Sequence, residues 1–480
     1  MKVKTSISKT LPRIGLIALA SLSGSACTVG PNYQRPEMAH PQDYRGQVGS
    51  AEADSVADLP WWQVFDDDAL KRLIATGLNN NYDLAIAASR IEQARALVGV
   101  ARSEALPQVG YEGGVGGEKT FTPEPNQLGT AKYFAVRGAL NFAWELDIWG
   151  RVRRSTEAAR AGLFAQEEVR RGVLLSLVSE IASGYFRLLS LDQQLAIANE
   201  SNTTYKKTLD LFTLRFQAGR DSRLAVERTE AAYESSNARI ADLKQQIVKQ
   251  EDALSILIGG YPQAITRGLP LSRQVVPRMP LGQTTDLLRR RPDIREAEQQ
   301  MVRANAEIGV AVANFYPRIG LGALIGGVHV EGEHGLSGTF GLWQAAASLA
   351  GPIFTGGRLE SLYNQRKAYW DESVAQYRKT ILTAFQETSD ALAAQQNLVG
   401  QRSALETQVQ ALRRSADLAL LRYDAGRSSY FEVLEAQQQL FPAADELART
   451  EQGQLQAMVD LYKALGGGWK LSDDAWARPG

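Results

Sequence analysis

Cysteine is almost missing from this 480-residue chain, which has Cys27 and no other. A single thiol excludes a disulfide framework within the chain and any zinc site built on paired cysteines. Histidine is nearly as scarce, at His40, His329 and His334. Of these only the stretch HVEGEH from His329 sets ligand-type residues close together, without a recognised ligand spacing, so no metal is expected. Charge of either sign is not in excess, because Lys+Arg and Asp+Glu each number 53. No strong field therefore draws the chain to nucleic acid. Phosphate-binding loops, nucleophile elbows and paired-cysteine motifs are missing too, and with them any signature of an enzyme. Beyond Cys27 no run of about 18 apolar residues occurs, so a transmembrane helix is not expected. A chain of this kind that spans a membrane must do so with β-strands.

What is present begins at the N-terminus. Lys2, Lys4, Lys9 and Arg13 precede an apolar run over 14–22 and then small residues as far as Cys27. That order predicts a secretory signal peptide over 1–26 and a mature chain beginning near Cys27. A lone thiol at that place points to a covalent lipid on Cys27, although Gly24 stands where the lipobox of bacterial lipoproteins usually has Leu. No other cofactor is expected.

The mature chain is duplicated. The segment LNNNYDLAIAASRIEQARALVGVARSEALPQVGYEGGVGG from Leu78 aligns without a gap on LRRRPDIREAEQQMVRANAEIGVAVANFYPRIGLGALIGG from Leu288. Pro107 falls on Pro317 and Gly117 on Gly327, both 210 residues apart. Further on the offset is 207, placing Gly150-Arg151 on Gly357-Arg358, RFQAGRDS from Arg215 on RYDAGRSS from Arg422, and Gly259-Gly260 on Gly466-Gly467. The domains read as an N-terminal segment over 27–77, a first repeat over 78–260, a linker over 261–287, a second repeat over 288–467 and a tail over 468–480.

Each repeat has the same order. Leu84, Ala87, Ala88, Ile91, Ala94 and Val98 recur at helical spacing, predicting a helix over 78–105 that stops before Pro107. Two strands follow, in a hairpin over 107–148 (317–354 in the second repeat), joined in the first repeat by a loop rich in Gly, Pro and Asn over 119–130. Then comes a helix over 151–216, about 100 Å long at 1.5 Å per residue, and a last helix over 223–258. The long helix carries two adjacent apolar lines, Val173, Leu177, Ile181 and Leu188 beside Leu174, Val178, Ala182 and Leu189. A helix buried on two flanks has neighbours on both sides, as a stave has in a barrel, whereas a two-helix coiled coil needs only one narrow seam.

The strand over 133–148 puts Phe134, Val136, Leu140, Phe142, Trp144, Leu146 and Ile148 on one face and Arg137, Asn141, Glu145 and Asp147 on the other. Such alternation marks a transmembrane barrel strand, and equally a half-buried soluble one. It recurs more weakly over 107–117 and from 317, and poorly over 339–354. Four strands do not close a barrel, since the smallest single-chain outer-membrane barrels have eight. Several protomers must share one, eight strands from a dimer or twelve from a trimer.

CTVGPNYQRPE from Cys27, PWWQVFDD from Pro60, ELDIWGRVRRS from Glu145, RRRPDIREAE from Arg289, RYDAGRSSYFEVLEAQ from Arg422 and LYKALGGGW from Leu461 resemble the outer membrane factor family, the TolC-like channels of the OprM/NodT lipoprotein branch. The resemblance covers essentially the whole chain after the signal peptide. It implies an α+β membrane protein: a homotrimer with a twelve-stranded outer-membrane barrel, four strands per protomer, continuous with a twelve-helix periplasmic tunnel. It implies a lipid-anchored, passive exit duct for drugs or other small molecules. The partners it implies are outer-membrane lipid, a periplasmic adaptor and an inner-membrane pump of the resistance-nodulation-division type. Ducts of protein secretion share the same residues, and a non-conducting periplasmic coiled-coil adaptor is disfavoured by the strands. The resemblance further places a periplasmic aperture at Phe431, Glu435 and Tyr423. It places tip turns and adaptor contacts at Arg215, Gly219, Arg220, Arg422, Gly426 and Arg427. Counting back 207 residues, Phe431 and Glu435 correspond to Leu224 and Arg228, so the acidic aperture residue belongs to the second repeat alone.

Overall fold

The computed structural model describes residues 28–39, 41–47, 55–124, 127–276, 280–332, 337–472 and 476. The signal peptide, Cys27, His40 and His334 lie outside the described residues. In chain order the helices are α1 (Trp61–Val64), α2 (Asp68–Asn80), α3 (Tyr82–Ser103), α4 (Arg151–Gln217), α5 (Arg223–Leu257), α6 (Thr284–Arg290), α7 (Pro292–Ala313), α8 (Arg358–Asp424) and α9 (Tyr430–Ala464). Strands β1 (Gln108–Glu124) and β2 (Gln127–Leu146) lie between α3 and α4, and β3 (Arg318–Gly332) and β4 (Ser337–Ala350) between α7 and α8. The chain divides into two compact units, each drawing on both repeats. Unit one holds Met1–Glu37, Arg90–Gln166 and Ala297–Tyr377, and unit two holds Met38–Ser89, Glu167–Glu296 and Arg378–Gly480.

Unit one carries one antiparallel sheet in the order β1-β2-β3-β4. Its register lines the apolar positions up across all four strands. Tyr111 faces Leu140, Leu140 faces Ile325, and Ile325 faces Trp343. Three same-face positions further along β2, Leu146, Ile319 and Leu349 form a second row, across three strands. Tyr111 is 88% exposed and Trp343 80%, so this face is bare in the single chain. In the stretch that alternates poorly in sequence, Trp343 and Leu349 share the apolar face and Gln344 and Ser348 the other, where Phe340 and Leu342 also fall. Glu112, Arg137, Asn141 and Glu145 lie on that second face, as their spacing predicts.

Three strand boundaries differ from the expectation. The stretch 119–130 is mostly strand, since β1 and β2 stay paired as far as Glu124 opposite Gln127. Ladder hydrogen bonds from a long partner strand override the turn preference of Gly, Pro and Asn. The apolar strand also stops at Leu146, and Asp147 is used instead to cap α4, accepting from the Val152 and Arg153 amides at 3.0 and 2.9 Å. Likewise β4 ends at Ala350 rather than near 354.

The expected single helix over 78–105 is two helices broken at Asn81. The Asn81 side chain accepts from the amides of Asp83 and Leu84, which starts α3, and donates to the Leu257 carbonyl at 2.9 Å, which closes α5. In the second repeat the break falls at Arg291, whose guanidinium donates to the matching carbonyl, Ala464 O, also at 2.9 Å. Different side chains thus satisfy the same orphan carbonyl at the end of each repeat's last helix.

In unit two, both apolar lines of α4 are buried, with Val178, Ile181, Ala182 and Leu188 fully enclosed. At about 1.5–3 kcal/mol per large apolar side chain, such lines dominate the local stability. One stretch of α4 is apolar and long enough to cross a membrane, but 61% of it is buried within the protein. Two sequence motifs from opposite ends of the chain meet here. Phe65 packs edge-on against Phe186 and Tyr462, Tyr462 donates to the Leu59 carbonyl at 3.0 Å, and the Trp61 indole donates to the Trp476 carbonyl at 3.1 Å.

Asp67 fixes the linker between repeats. Its Oδ1 accepts from the Ala69 and Leu70 amides and caps α2, while its Oδ2 accepts from Tyr185 (3.1 Å), the Leu269 amide (2.9 Å) and Gln274 (2.8 Å). Burial raises this carboxyl, but hydrogen bonds from Gln274, Leu70, Leu269 and Tyr185 outweigh it and hold the group below the ordinary carboxylate value. Asp67→Ala should therefore lower stability by about 2–4 kcal/mol, the sum of a lost cap and stranded donors. Because the folded-state value is lowered, the ionic part of this contribution is complete above the unfolded value of about 3.9 and fades as pH falls through the folded one. Thermal unfolding of the parent and Asp67→Asn across pH should show their difference shrinking below about pH 4.

Candidate functional site

Two helix-helix turns close the far ends of the long helices in unit two. In the first, the Gly219 amide donates to Phe216 O and the Arg220 amide to Arg215 O; in the second, Gly426 donates to Tyr423 O and Arg427 to Arg422 O. Both are Schellman turns, which need a left-handed residue, and Gly219 and Gly426 supply it at φ 67° and 69°. No neighbouring atom would meet a side chain at either glycine, so backbone angle alone demands them. Ser222 caps α5 by accepting from the Ala225 amide at 3.3 Å.

Behind the turns lies an aromatic cluster that joins the repeats. Phe212 of α4 is fully buried, with its ring centroid 4.2 Å from that of Tyr430, and Tyr430 meets Tyr423 edge-on at 5.3 Å. Tyr205 stacks edge-on against Phe441 at 5.7 Å. Burial pushes the Tyr430 phenol up to about 12, so it stays neutral at any physiological pH. Arg215 lies 4.7 Å above the Tyr423 ring and also hydrogen-bonds its hydroxyl, clamping the first turn onto the second repeat.

The residues expected at the aperture separate into two sets. Phe431 is 55% exposed, and Glu435 is exposed one helical turn further along α9, accepting from Gln439 at 3.4 Å. Tyr423, by contrast, is only 9% exposed and belongs to the cluster. Arg220, Arg422 and Arg427 are exposed around the turns. The first-repeat counterpart of Glu435 sits against the second repeat, with the Arg228 guanidinium 5.7 Å from the Phe431 ring. Spacing gave no hint of the exposed apolar side chains flanking the turns, Leu214, Phe216, Leu418 and Leu421. The only signal for the buried cluster was aromatics seven residues apart, Tyr205 with Phe212 and Tyr423 with Tyr430.

Unit one holds the segment that follows Cys27. The Val29 amide donates to Trp149 O at 3.1 Å, and Arg154, itself buried, donates to Val29 O and Gly30 O at 3.4 Å and to Asn32 at 2.7 Å. Asn305 donates to Pro31 O at 2.9 Å, and Glu298 accepts from both Tyr33 and Arg35. The seat admits no side chain at two glycines: a Cβ on Gly150 would lie 2.6 Å from Thr28, and one on Gly30 would lie 2.6 Å from Gly309. Residues 28–35 are thus laid along α4 and α7 immediately beyond the base of β2.

Among the described residues no group of three or more His, Cys, Asp or Glu side chains could hold a metal ion. His329 bonds Thr339 at 2.8 Å across the β3–β4 pair.

The same two-part organisation appears in comparison with known proteins. The family model described as outer membrane efflux protein matches residues 73–260 and 284–467, almost the limits of the two repeats. The chain is 34% identical over 462 residues to the probable efflux pump outer membrane protein TtgC of Pseudomonas putida, covering 94% of this chain and 95% of that protein. It is 32% identical to the cation efflux system protein CusC of Escherichia coli, covering 94% and 97%. The solved open state of the MtrE outer membrane channel of Neisseria gonorrhoeae superposes with a TM-score of 0.79 at 30% identity, over 92% of this chain and 99% of that one. A duplicated helix-hairpin-helix chain matched at this identity over nearly its full length belongs to the outer membrane efflux protein family.

Proposed function

We propose that the protein is one protomer of a homotrimeric exit duct. It would pass small molecules from an inner-membrane pump and its periplasmic adaptor through the outer membrane. The observation that carries this reading is the open sheet of unit one, with a bare apolar face and two edges that no strand pairs among the described residues. Edges of this kind are not tolerated in hydrocarbon, and three copies bring the strand number to twelve, within the range of closed barrels. The polar face, with Arg137, Asn141 and Glu145, then lines the lumen.

The gate belongs at the turns. Phe431 and Glu435 are exposed on α9 and free to face an axis, where three copies would make an apolar constriction beside an acidic ring. Tyr423, held in the aromatic cluster with Arg215, positions that helix rather than lining the opening. Arg220, Arg422 and Arg427 with the flanking leucines offer the adaptor a mixed basic and apolar rim. A lipid on Cys27 would enter the membrane next to the base of the sheet, because the seat on Gly150, Arg154 and Gly309 fixes the residues that follow it.

In planar bilayers the purified protein should form stable pores, and Phe431→Ala with Glu435→Ala should raise their conductance and admit larger solutes. Unchanged conductance would move the gate to another position. Cys27→Ser should remove the acyl mass from the mature protein by mass spectrometry and shift part of it out of the outer-membrane fraction; an unchanged mass would mean that cleavage occurs without lipidation. Deletion of the gene followed by drug, solvent and metal challenge, with secretion assayed in parallel, should sensitise the cell to small molecules and leave secreted proteins unaffected.

A further inference from the structure

A groove runs along α4 between α5 and α9 within unit two. One part of it is a cavity of about 740 Å³ walled by Tyr205, Leu434, Phe441 and Pro442 and bordered by Arg239 and Asp445. The next part, about 560 Å³, shares Gln194 and Arg239 with the first and is lined by Arg187, Arg449 and further glutamines. Drug-sized sites have this volume and this make-up, apolar walls with a few convergent polar groups.

Charge along the groove does not balance. Arg239 pairs with Asp242 at 3.0 Å and with Asp445 at 3.3 Å, and Arg449 pairs with the same Asp445 at 2.8 Å. Arg187 takes no ion pair among the described residues. With Arg228, which lines the apolar part and also takes no ion pair among the described residues, four guanidiniums face the two carboxylates that pair with them, leaving two positive charges uncompensated, Arg228 beside the apolar cavity and Arg187 in the polar part. The polar part is lined by Ser183, Gly184 and several glutamines, and Gln194, shared by both parts, supplies an amide donor that suits an oxyanion.

We infer that this groove binds amphipathic organic anions, with an aromatic or aliphatic body against Tyr205, Leu434 and Phe441 and a carboxylate or sulfonate toward Arg228 or Arg239, which border the same apolar wall. The inference names a solute class for the proposed duct and rests on that reading for its use in the cell, but binding itself requires no conduction. Arg228 takes no ion pair among the described residues, so its loss strands no carboxylate, which makes it the cleanest position for a test.

The full-length protein in an uncharged detergent should be titrated with 1-naphthalenesulfonate and with the uncharged 1-naphthalenemethanol, followed by saturation-transfer NMR. The sulfonate should bind about ten-fold more tightly, and added salt should weaken the sulfonate alone. Arg228→Gln should weaken the sulfonate by about five-fold, the size expected of a partly exposed ion pair, and leave the alcohol unchanged. Phe441→Ala should weaken both probes. Equal affinities for the two probes, or an unaltered sulfonate affinity in Arg228→Gln and in Arg239→Gln, would overturn the inference. Pores in bilayers without sulfonate binding would sink this site and leave the duct standing; binding without pores would do the reverse.

Discussion

Two rows of backbone donors and acceptors, on the outer edges of β1 and β4, find no strand partner among the described residues, and most of the architecture is organised around that deficit. A long flat edge is a hazard in water and is excluded from lipid. Neither repeat can relieve it, because each contributes only one hairpin. Duplication doubles the strands but still leaves the sheet open. What it does achieve is a central pairing, β2 with β3, that welds the repeats into one sheet with a continuous apolar row from Tyr111 to Trp343.

The repeats share geometry more faithfully than chemistry. Their turns use the same pair of backbone hydrogen bonds and the same left-handed glycine. Their helix breaks close on equivalent carbonyls, one through an asparagine amide and the other through an arginine. Where the backbone must be satisfied, any side chain of adequate reach serves. Where side chains face outward the copies diverge, so Leu224 and Arg228 stand where the second repeat has Phe431 and Glu435. That divergence is useful at once, since Arg228 lies against Phe431 and couples the two hairpins.

Much of this was legible in the sequence because it is periodic. The 3.6-residue repeat located α4, both of its apolar lines and the glycine that ends it, and the two-residue repeat located β2 and assigned its faces. The break at Asn81 was hidden, because asparagine interrupts neither the apolar period nor helical composition, and only the cap geometry reveals its work. The length of β1 and β2 was hidden by residues of turn type that a long partner strand overrides. Tyr423 is the instructive case at the tip. Its neighbours Phe212 and Tyr430 lie on different helices, Phe212 more than 200 residues away, and no local pattern states that the side chain turns inward. Exposure at Phe431 and Glu435 was easier to anticipate, since both sit on one stripe of α9.

The pairing of β2 with β3 has a consequence in time. Leu146 meets Ile319, so this ladder must wait for 172 intervening residues to be made and exported. Local hairpins form in microseconds, whereas pairings of such separation are slow. During that interval β2 presents the very edge it later buries, and the glycines of β1 and β3 lower the intrinsic strand preference of the segments that flank it.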